Sequence, residues 1–356
     1  MKRFRISGDT WCALIAVAFA VAVFTPICIC FDDVLSPAAE ECGIDGRIGR
    51  AKAEKARIIE KYGKNGKLPL TAWVLRPEVA LPLALALLED EELAKLGIDR
   101  ARQIALINAD PNKFRVAVPG HWRKRFLLLT REQEKTFGDR TEREIEKDGK
   151  LYRDPAAEAR VRRVAERLWK YLPEGTPHRI ALVRDDTVNA FVIANGRIYV
   201  HSGLLVRISS DDTLAFVLAH EYAHYLARHA NESVTKKLLD LAVRTLVADM
   251  QMRLENDGKV VRSILLMAGY AGGSYAGVHL PFSRRMEQEA DTIGIRLMAQ
   301  AGFAPEGAVV FFEQLTQGQS APGWERFLST HPTDAKRLER MRKECAELKR
   351  SAVAKP

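Results

Sequence analysis

The stretch Thr213-Leu-Ala-Phe-Val-Leu-Ala-His220-Glu221-Tyr222-Ala223-His224 constrains this chain more than any other. Ser209, Ser210, Asp211 and Asp212 supply N-cap candidates and acidic first-turn residues, so a helix is expected to start here. Leu214, Phe216, Val217 and Leu218 make that helix apolar nearly all round, which predicts burial. At 3.6 residues per turn His224 lies about 40° round from His220, so both imidazoles can reach one metal ion, while Glu221, about 100° away, flanks that ion without binding it. Two neutral imidazoles holding one Zn²⁺, with a carboxylate placed to take a proton from water whose pKa the metal has lowered, form the donor pattern of a zinc hydrolase. The bland alternative is a core helix that happens to contain two of the chain's 8 histidines. It must bury a glutamate beside two histidines with no metal to compensate, which is costly.

A catalytic zinc needs a third protein ligand. One layout would place a glycine and a histidine at positions 227 and 230, where Ala227 and Ala230 stand. His229 cannot substitute, since nine residues after His220 it points to the opposite side of the helix. The other layout takes a glutamate from a second helix, expected over Ser283 to Met298. There Glu287 and Asp291 are four apart and share a face, so Glu287 can be the ligand while Asp291 receives the free N–H of a metal-bound histidine. Glu289 faces away, and its removal is expected to do little. A solvated charged helix face is the alternative for this stretch.

His-Glu-Tyr-Ala-His followed by Ala-Arg-His-Ala-Asn, then Ser-Arg-Arg-Met-Glu-Gln-Glu-Ala-Asp, Ala-Gly-Phe-Ala-Pro and Thr-His331-Pro, resembles in order and spacing the gluzincin peptidases. That group includes the HtpX heat-shock protease, the BepA periplasmic protease, the mitochondrial Oma protease and the CAAX prenyl endopeptidase, and the pattern here is nearest the BepA-like and Oma-like members. The resemblance covers roughly Phe126 to Arg342. It implies an α+β, zincin-like metallopeptidase fold, mostly helical with a small sheet, and it places the third zinc ligand on Glu287. It also implies that Asn189, Ala190 and Phe191 border the edge where substrate binds, and it singles out His331. A histidine before proline could simply cap the next helix. If functional, His331 either donates to the oxyanion or, as a fourth zinc ligand, holds the enzyme latent; the latch is preferred, because a protease exposed to envelope proteins needs restraint.

Two β runs precede the metal helix: Ile180 to Val183, and a hairpin of Ala190 to Ile193 and Arg197 to Val200 turned at Asn195-Gly196. An extended peptide can add to the exposed edge of such a sheet by main-chain hydrogen bonds. A helix is expected from about Asp154 to Tyr171, where Val161, Val164, Ala165, Leu168 and Trp169 recur at helical spacing, and an amphipathic one from Ser233 to Leu254. Ser263 to Ser283 carries no charge before Arg284 and contains Gly269, Gly272, Gly273 and Gly277; it is read as a lid over the site in preference to a segment that dips into membrane.

The first part of the chain stands on composition alone. Met1-Lys2-Arg3-Phe4-Arg5 is a basic head, and Trp11 to Phe31 is a run of 21 uncharged residues, long enough to span a bilayer. It is either an uncleaved anchor, the preferred reading, or a signal peptide cleaved near Ser36-Pro-Ala38; in both cases the remainder of the chain lies outside the cytoplasm. Residues 32–125 form a charged and helical region in which Val79 to Leu88 is a core helix, with Pro82 kinking it or marking its first turn. Residues 126–350 form the metallopeptidase domain. A net charge of +9 is spread among acids with no basic stripe alternating with aromatics, which argues for a membrane surface and against nucleic acid as partner. Cys42 and Cys345 form one disulfide or remain two thiols. The function expected is a zinc-dependent endopeptidase at the membrane or in the cell envelope, acting on misfolded or envelope polypeptides; the rival is a chaperone-like or assembly factor in which proteolysis is secondary or absent. The sequence leaves the oligomeric state open.

Overall fold

The computed structural model describes residues 46–63, 77–117, 124–256, 280–317, 323–331 and 336–353. The expected anchor or signal segment, Cys42 and nearly all of the glycine-rich stretch 263–283 lie outside these residues. Among the described residues no helix is long and apolar enough to cross a membrane. Secondary structure is mostly helical with small sheets, and the chain divides into two compact units.

The first unit takes in residues up to 116, 125–128 and 234–281. It contains α1 (Gly46–Tyr62), α2 (Pro77–Leu87), α3 (Asp90–Lys95) and α4 (Arg100–Ala109). A short sheet pairs β1 (Arg115–Ala117) with β2 (Lys124–Phe126). Helix α2 is buried over most of its length, with Pro82 inside it, past the first turn. Two arginines hold the carbonyls at its C-terminal end: Arg100 Nε donates to Leu85 O at 2.9 Å, and Arg50 donates to Ala86 O and Leu88 O at 3.2 Å each. The last carbonyls of a helix lack the N–H four residues on, so burying them calls for donors from elsewhere.

The second unit comprises residues 117–124, 129–233 and 282–356. Thr130 caps α5 (Arg131–Lys147) through a reciprocal pair with Gln133, and Asp154 caps α6 (Pro155–Trp169), whose Val161, Val164, Ala165 and Leu168 are buried. The sheet runs in the order β3 (Arg179–Val183), β5 (Arg197–His201), β4 (Ala190–Val192), with β3 parallel and β4 antiparallel to β5. Strand β4 is therefore an edge. Its hairpin closes through Ile193 N–H to Arg197 O at 3.0 Å and Gly196 N–H to Ile193 O at 2.8 Å, with Gly196 at φ +82°. Helix α5 braces this turn: Asn195 Nδ2 donates to Glu142 Oε2 at 2.6 Å and to Asp139 Oδ1 at 2.9 Å.

After the short α7 (Ser202–Arg207), Ser210 caps α8 (Asp211–Leu226), buried continuously from Thr213 to Ala223. Helix α9 (His229–Asn256) comes next, then α10 (Leu280–Gln300), α11 (Glu306–Gln317), α12 (Glu325–Thr330) and α13 (Arg337–Val353). Helices α8 and α10 approach closely because residue 294 is glycine, where a Cβ would come within 3.0 Å of His220 N. One apolar core spans α6, the sheet, α8, α10, α11 and α13. Cys345 is buried in it, its thiol donating to Pro305 O at 3.3 Å.

Candidate metal centre

Helix α8 turns His220 and His224 to the same side, with their Nε2 atoms 3.0 Å apart. Helix α10 brings Glu287 against both: Oε2 is 3.4 Å from His220 Nε2, and Oε1 is 3.3 Å from His224 Nε2. His331, at the end of α12, adds Nδ1 at 3.1 Å from Glu287 Oε2 and 3.3 Å from His220 Nε2. One ligand atom from each of these four residues lies within 4.8 Å of all the others. Four ligands at the usual zinc distances of about 2.0–2.1 Å would stand roughly 3.3–3.4 Å apart at the corners of a tetrahedron. The observed separations and the nitrogen and oxygen donors fit a zinc-sized ion.

The surroundings of this cluster are charged and buried. Asp291 Oδ1 lies 3.1 Å from His220 Nδ1, the pairing expected from its place four residues past Glu287. Arg337, unmarked by any sequence pattern, donates from Nε and Nη2 to the two oxygens of Asp291 at 2.6 and 2.8 Å, and Nη2 also reaches Glu287 Oε2 at 3.0 Å. Burial works against the charged form of His220, but Asp291 and Glu287 outweigh it and lift its pKa to about 9. His224 goes the other way, because burial dominates and lowers its pKa. Burial likewise opposes the charge on Glu287, yet His331 and Arg337 beside it hold its carboxyl well below the usual range.

Glu221 is 1% exposed, and burial raises its pKa. Its Oε2 accepts the Val192 N–H of edge strand β4 at 3.0 Å. Among the described residues its Oε1 has no hydrogen-bond partner; it sits 3.6 Å from His331 Nε2, which has none there either. A cavity of about 240 Å³ opens beside these groups, lined on the sheet side by Phe191, Val192, Ile193 and Ala194. Of the expected edge residues Phe191 lines it, whereas Asn189 and Ala190 are buried and do not. The edge that faces the site thus lies further along the strand.

Two expectations are corrected. His229 does not point across the helix, because α8 stops at Leu226 and Arg228 takes φ +58° before α9 begins. The chain turns back, and His229 Nδ1 comes to rest 2.8 Å from His224 Nδ1. Glu289 does not face away either: it is 0% exposed and its Oε2 lies 3.1 Å from His229 Nε2. A helical wheel assumes one narrow buried face, but α10 buries residues 286, 287, 289, 290 and 291, and between residues 286 and 299 it exposes only Gln288 and Arg296.

The family model described as Peptidase family M48 matches residues 155–345. The mitochondrial metalloendopeptidase OMA1 of Schizosaccharomyces pombe is 37% identical over 161 residues, 45% of this chain and 44% of that protein. OMA1 of Saccharomyces cerevisiae is 34% identical over 183 residues, 48% of each chain. The beta-barrel assembly-enhancing protease of Yersinia pestis is 29% identical over 223 residues, 62% of this chain and 46% of that one. The chain spans about half the length of these curated relatives.

Proposed function

Because this chain belongs to peptidase family M48 and has the expected zincin-like α+β fold, we propose that it is a zinc-dependent endopeptidase whose catalytic domain is residues 126–350. His220, His224 and Glu287 would hold one Zn²⁺. The observation that carries this reading is the convergence of their ligand atoms, with Glu221 Oε1 buried alongside and unpartnered among the described residues. Zinc bound there would supply Lewis-acid polarisation of the scissile carbonyl and a lowered pKa for water near neutral pH.

The chain's own residues do the rest. The Val192 N–H fixes one oxygen of Glu221 and leaves the other to accept the proton of the attacking water. As the new C–O bond forms and the C–N bond breaks, Glu221 passes that proton to the leaving amine. Phe191 pairs with Tyr199 across the sheet, so the main-chain groups of Val192 point away from β5: its N–H is taken by Glu221, and its C=O is turned toward a strand that would add at this edge. Substrate is thereby recognised through its backbone, which suits unfolded polypeptides. The relatives' names, a mitochondrial metalloendopeptidase and a protease that enhances beta-barrel assembly, support quality control of envelope or membrane proteins as the setting. The uncharged run 11–31 would hold the chain at that membrane, outside the cytoplasm.

His331 Nδ1 stands among the ligand atoms, which supports the latch over oxyanion donation. The test is cleavage of an unfolded protein by variants matched for zinc content. Glu221→Gln should lower the rate about a hundred- to ten-thousand-fold with zinc retained; an undiminished rate would remove Glu221 from the chemistry. His331→Ala should raise the rate, and a fall would return His331 to the oxyanion role.

A further inference from the structure

Behind the second metal-facing histidine lies a buried chain of polar contacts. His224 presents Nε2 to His220 Nε2 at 3.0 Å and Glu287 Oε1 at 3.3 Å, and turns its other nitrogen, Nδ1, to His229 Nδ1 at 2.8 Å. The two rings meet nearly edge to face, at 73° with centroids 4.8 Å apart. His229 Nε2 in turn lies 3.1 Å from Glu289 Oε2.

The placement of hydrogens along this chain is set by what each group can do. If Glu289 is ionised it only accepts, and the hydrogen of the last contact belongs to His229 Nε2. A neutral imidazole carries a single N–H, which makes His229 Nδ1 an acceptor and puts the hydrogen of the 2.8 Å contact on His224 Nδ1. His224 then has its Nε2 lone pair directed at His220, Glu287 and whatever they hold. The opposite polarity would place a hydrogen on Nε2, where it would block ligation. We propose that His229 and Glu289 are positioning residues, a relay that fixes the tautomer and ring orientation of His224 as a metal ligand.

The backbone supplies an independent argument. Arg228 is the one non-glycine residue with positive φ among the described residues, a conformation that costs an arginine about 1–2 kcal/mol. Such strain persists where its surroundings over-determine it and clusters at functional sites. Here Arg228 Nε donates to Glu134 at 2.9 and 3.1 Å and Nη2 donates to Leu129 O at 2.7 Å, while Asn231 Nδ2 donates to the same carboxylate and the same carbonyl. Without this turn α8 would carry residue 229 to its far side. The buried network thus serves to bring one imidazole back beneath another.

The relay rests on the zinc reading, and its test separates the two. Zinc affinity is measured by competition with a chromophoric chelator, together with the visible spectrum of the Co²⁺-substituted protein and the melting temperature of the metal-free protein, for His229→Leu, His229→Asn and Glu289→Gln. Leucine fills the space but accepts nothing, so affinity should fall about ten- to a hundredfold. Asparagine is smaller but puts a carbonyl oxygen near the place of Nδ1, so it should restore most of that affinity and the Co²⁺ spectrum. Glu289→Gln keeps the shape and loses the charge, and should weaken zinc about tenfold with melting of the metal-free protein unchanged. Equal losses in the leucine and asparagine variants, or leucine binding as tightly as wild type, would overturn the relay. Should His229→Leu fail to fold, unaltered zinc affinity in Glu289→Gln overturns it as well. A wild-type protein that binds no zinc would instead remove the reading beneath it.

Discussion

His220 and His224 leave one helix a single turn apart, yet the structure backs them in opposite ways. Behind His220 stands a full charge in direct reach, Asp291, itself gripped by the buried guanidinium of Arg337. Behind His224 stands a second imidazole, His229, with the carboxylate of Glu289 one residue further off. The electrostatic outcome differs accordingly. Burial pulls both imidazoles down, the adjacent carboxylates reverse it at His220 and lift the pKa to about 9, and at His224 burial prevails. Two chemically identical ligands can therefore be oriented by different means, one by a charge that also strengthens the ring as a base and one mainly by the direction of a hydrogen bond.

The sharpest way to break this comparison is to remove the cation on the His220 side. Arg337→Met would leave Glu287 and Asp291 buried with their main counterion gone, a loss expected to cost about 3–5 kcal/mol. Urea unfolding of the metal-free protein reads this directly. A cost under about 1 kcal/mol would mean that the charged backing is no clamp and that both sides are held mainly by packing.

A smaller effect should come from geometry alone. Gly294→Ala inserts a methyl group 3.0 Å from His220 N, where helix backbone cannot easily yield, and overpacking of this kind typically costs about 1–3 kcal/mol. It should lower the melting temperature and weaken zinc by displacing the helix that carries Glu287 and Asp291. Because the methyl bears on His220, adding His229→Leu should give a further and nearly additive loss in zinc affinity; strong non-additivity would show that the two sides act as one unit.

The two sides also differ in how legible they are in the sequence. Everything behind His220 except Arg337 is regular helix geometry: His220 and His224 are four apart on α8, Glu287 and Asp291 are four apart on α10, and both helices are long and capped or periodic. The hairpin is equally open to view, since Asn195-Gly196 sits between two β runs. The groups behind His224 stay hidden because periodicity alone carries α8 on through residue 229, past its true end at Leu226. Nothing local to Arg228 announces a left-handed turn; its cause is Glu134, far away in sequence. Arg337 is invisible for the same reason, a side chain whose purpose lies on another helix. The hydrogen bond from Val192 N–H to Glu221 belongs here too, as no pattern reports which strand edge meets a helix.

The turn at Arg228 has a consequence for how this chain can change. Glycine is ordinarily the residue that relieves a positive φ, and here it would recover about 1–2 kcal/mol of backbone strain. It would also take from Glu134, 4% exposed, its buried arginine and leave it only the half-exposed Arg131 at 3.3 Å and Asn231, at a cost of about 1–3 kcal/mol. Substitution at 228 is thus expected to be coupled to substitution at 134, although the two positions are 94 residues apart. A double-mutant cycle with Arg228→Gly and Glu134→Gln should show a coupling of about 1–3 kcal/mol. Simple additivity would mean that each position is free to drift alone.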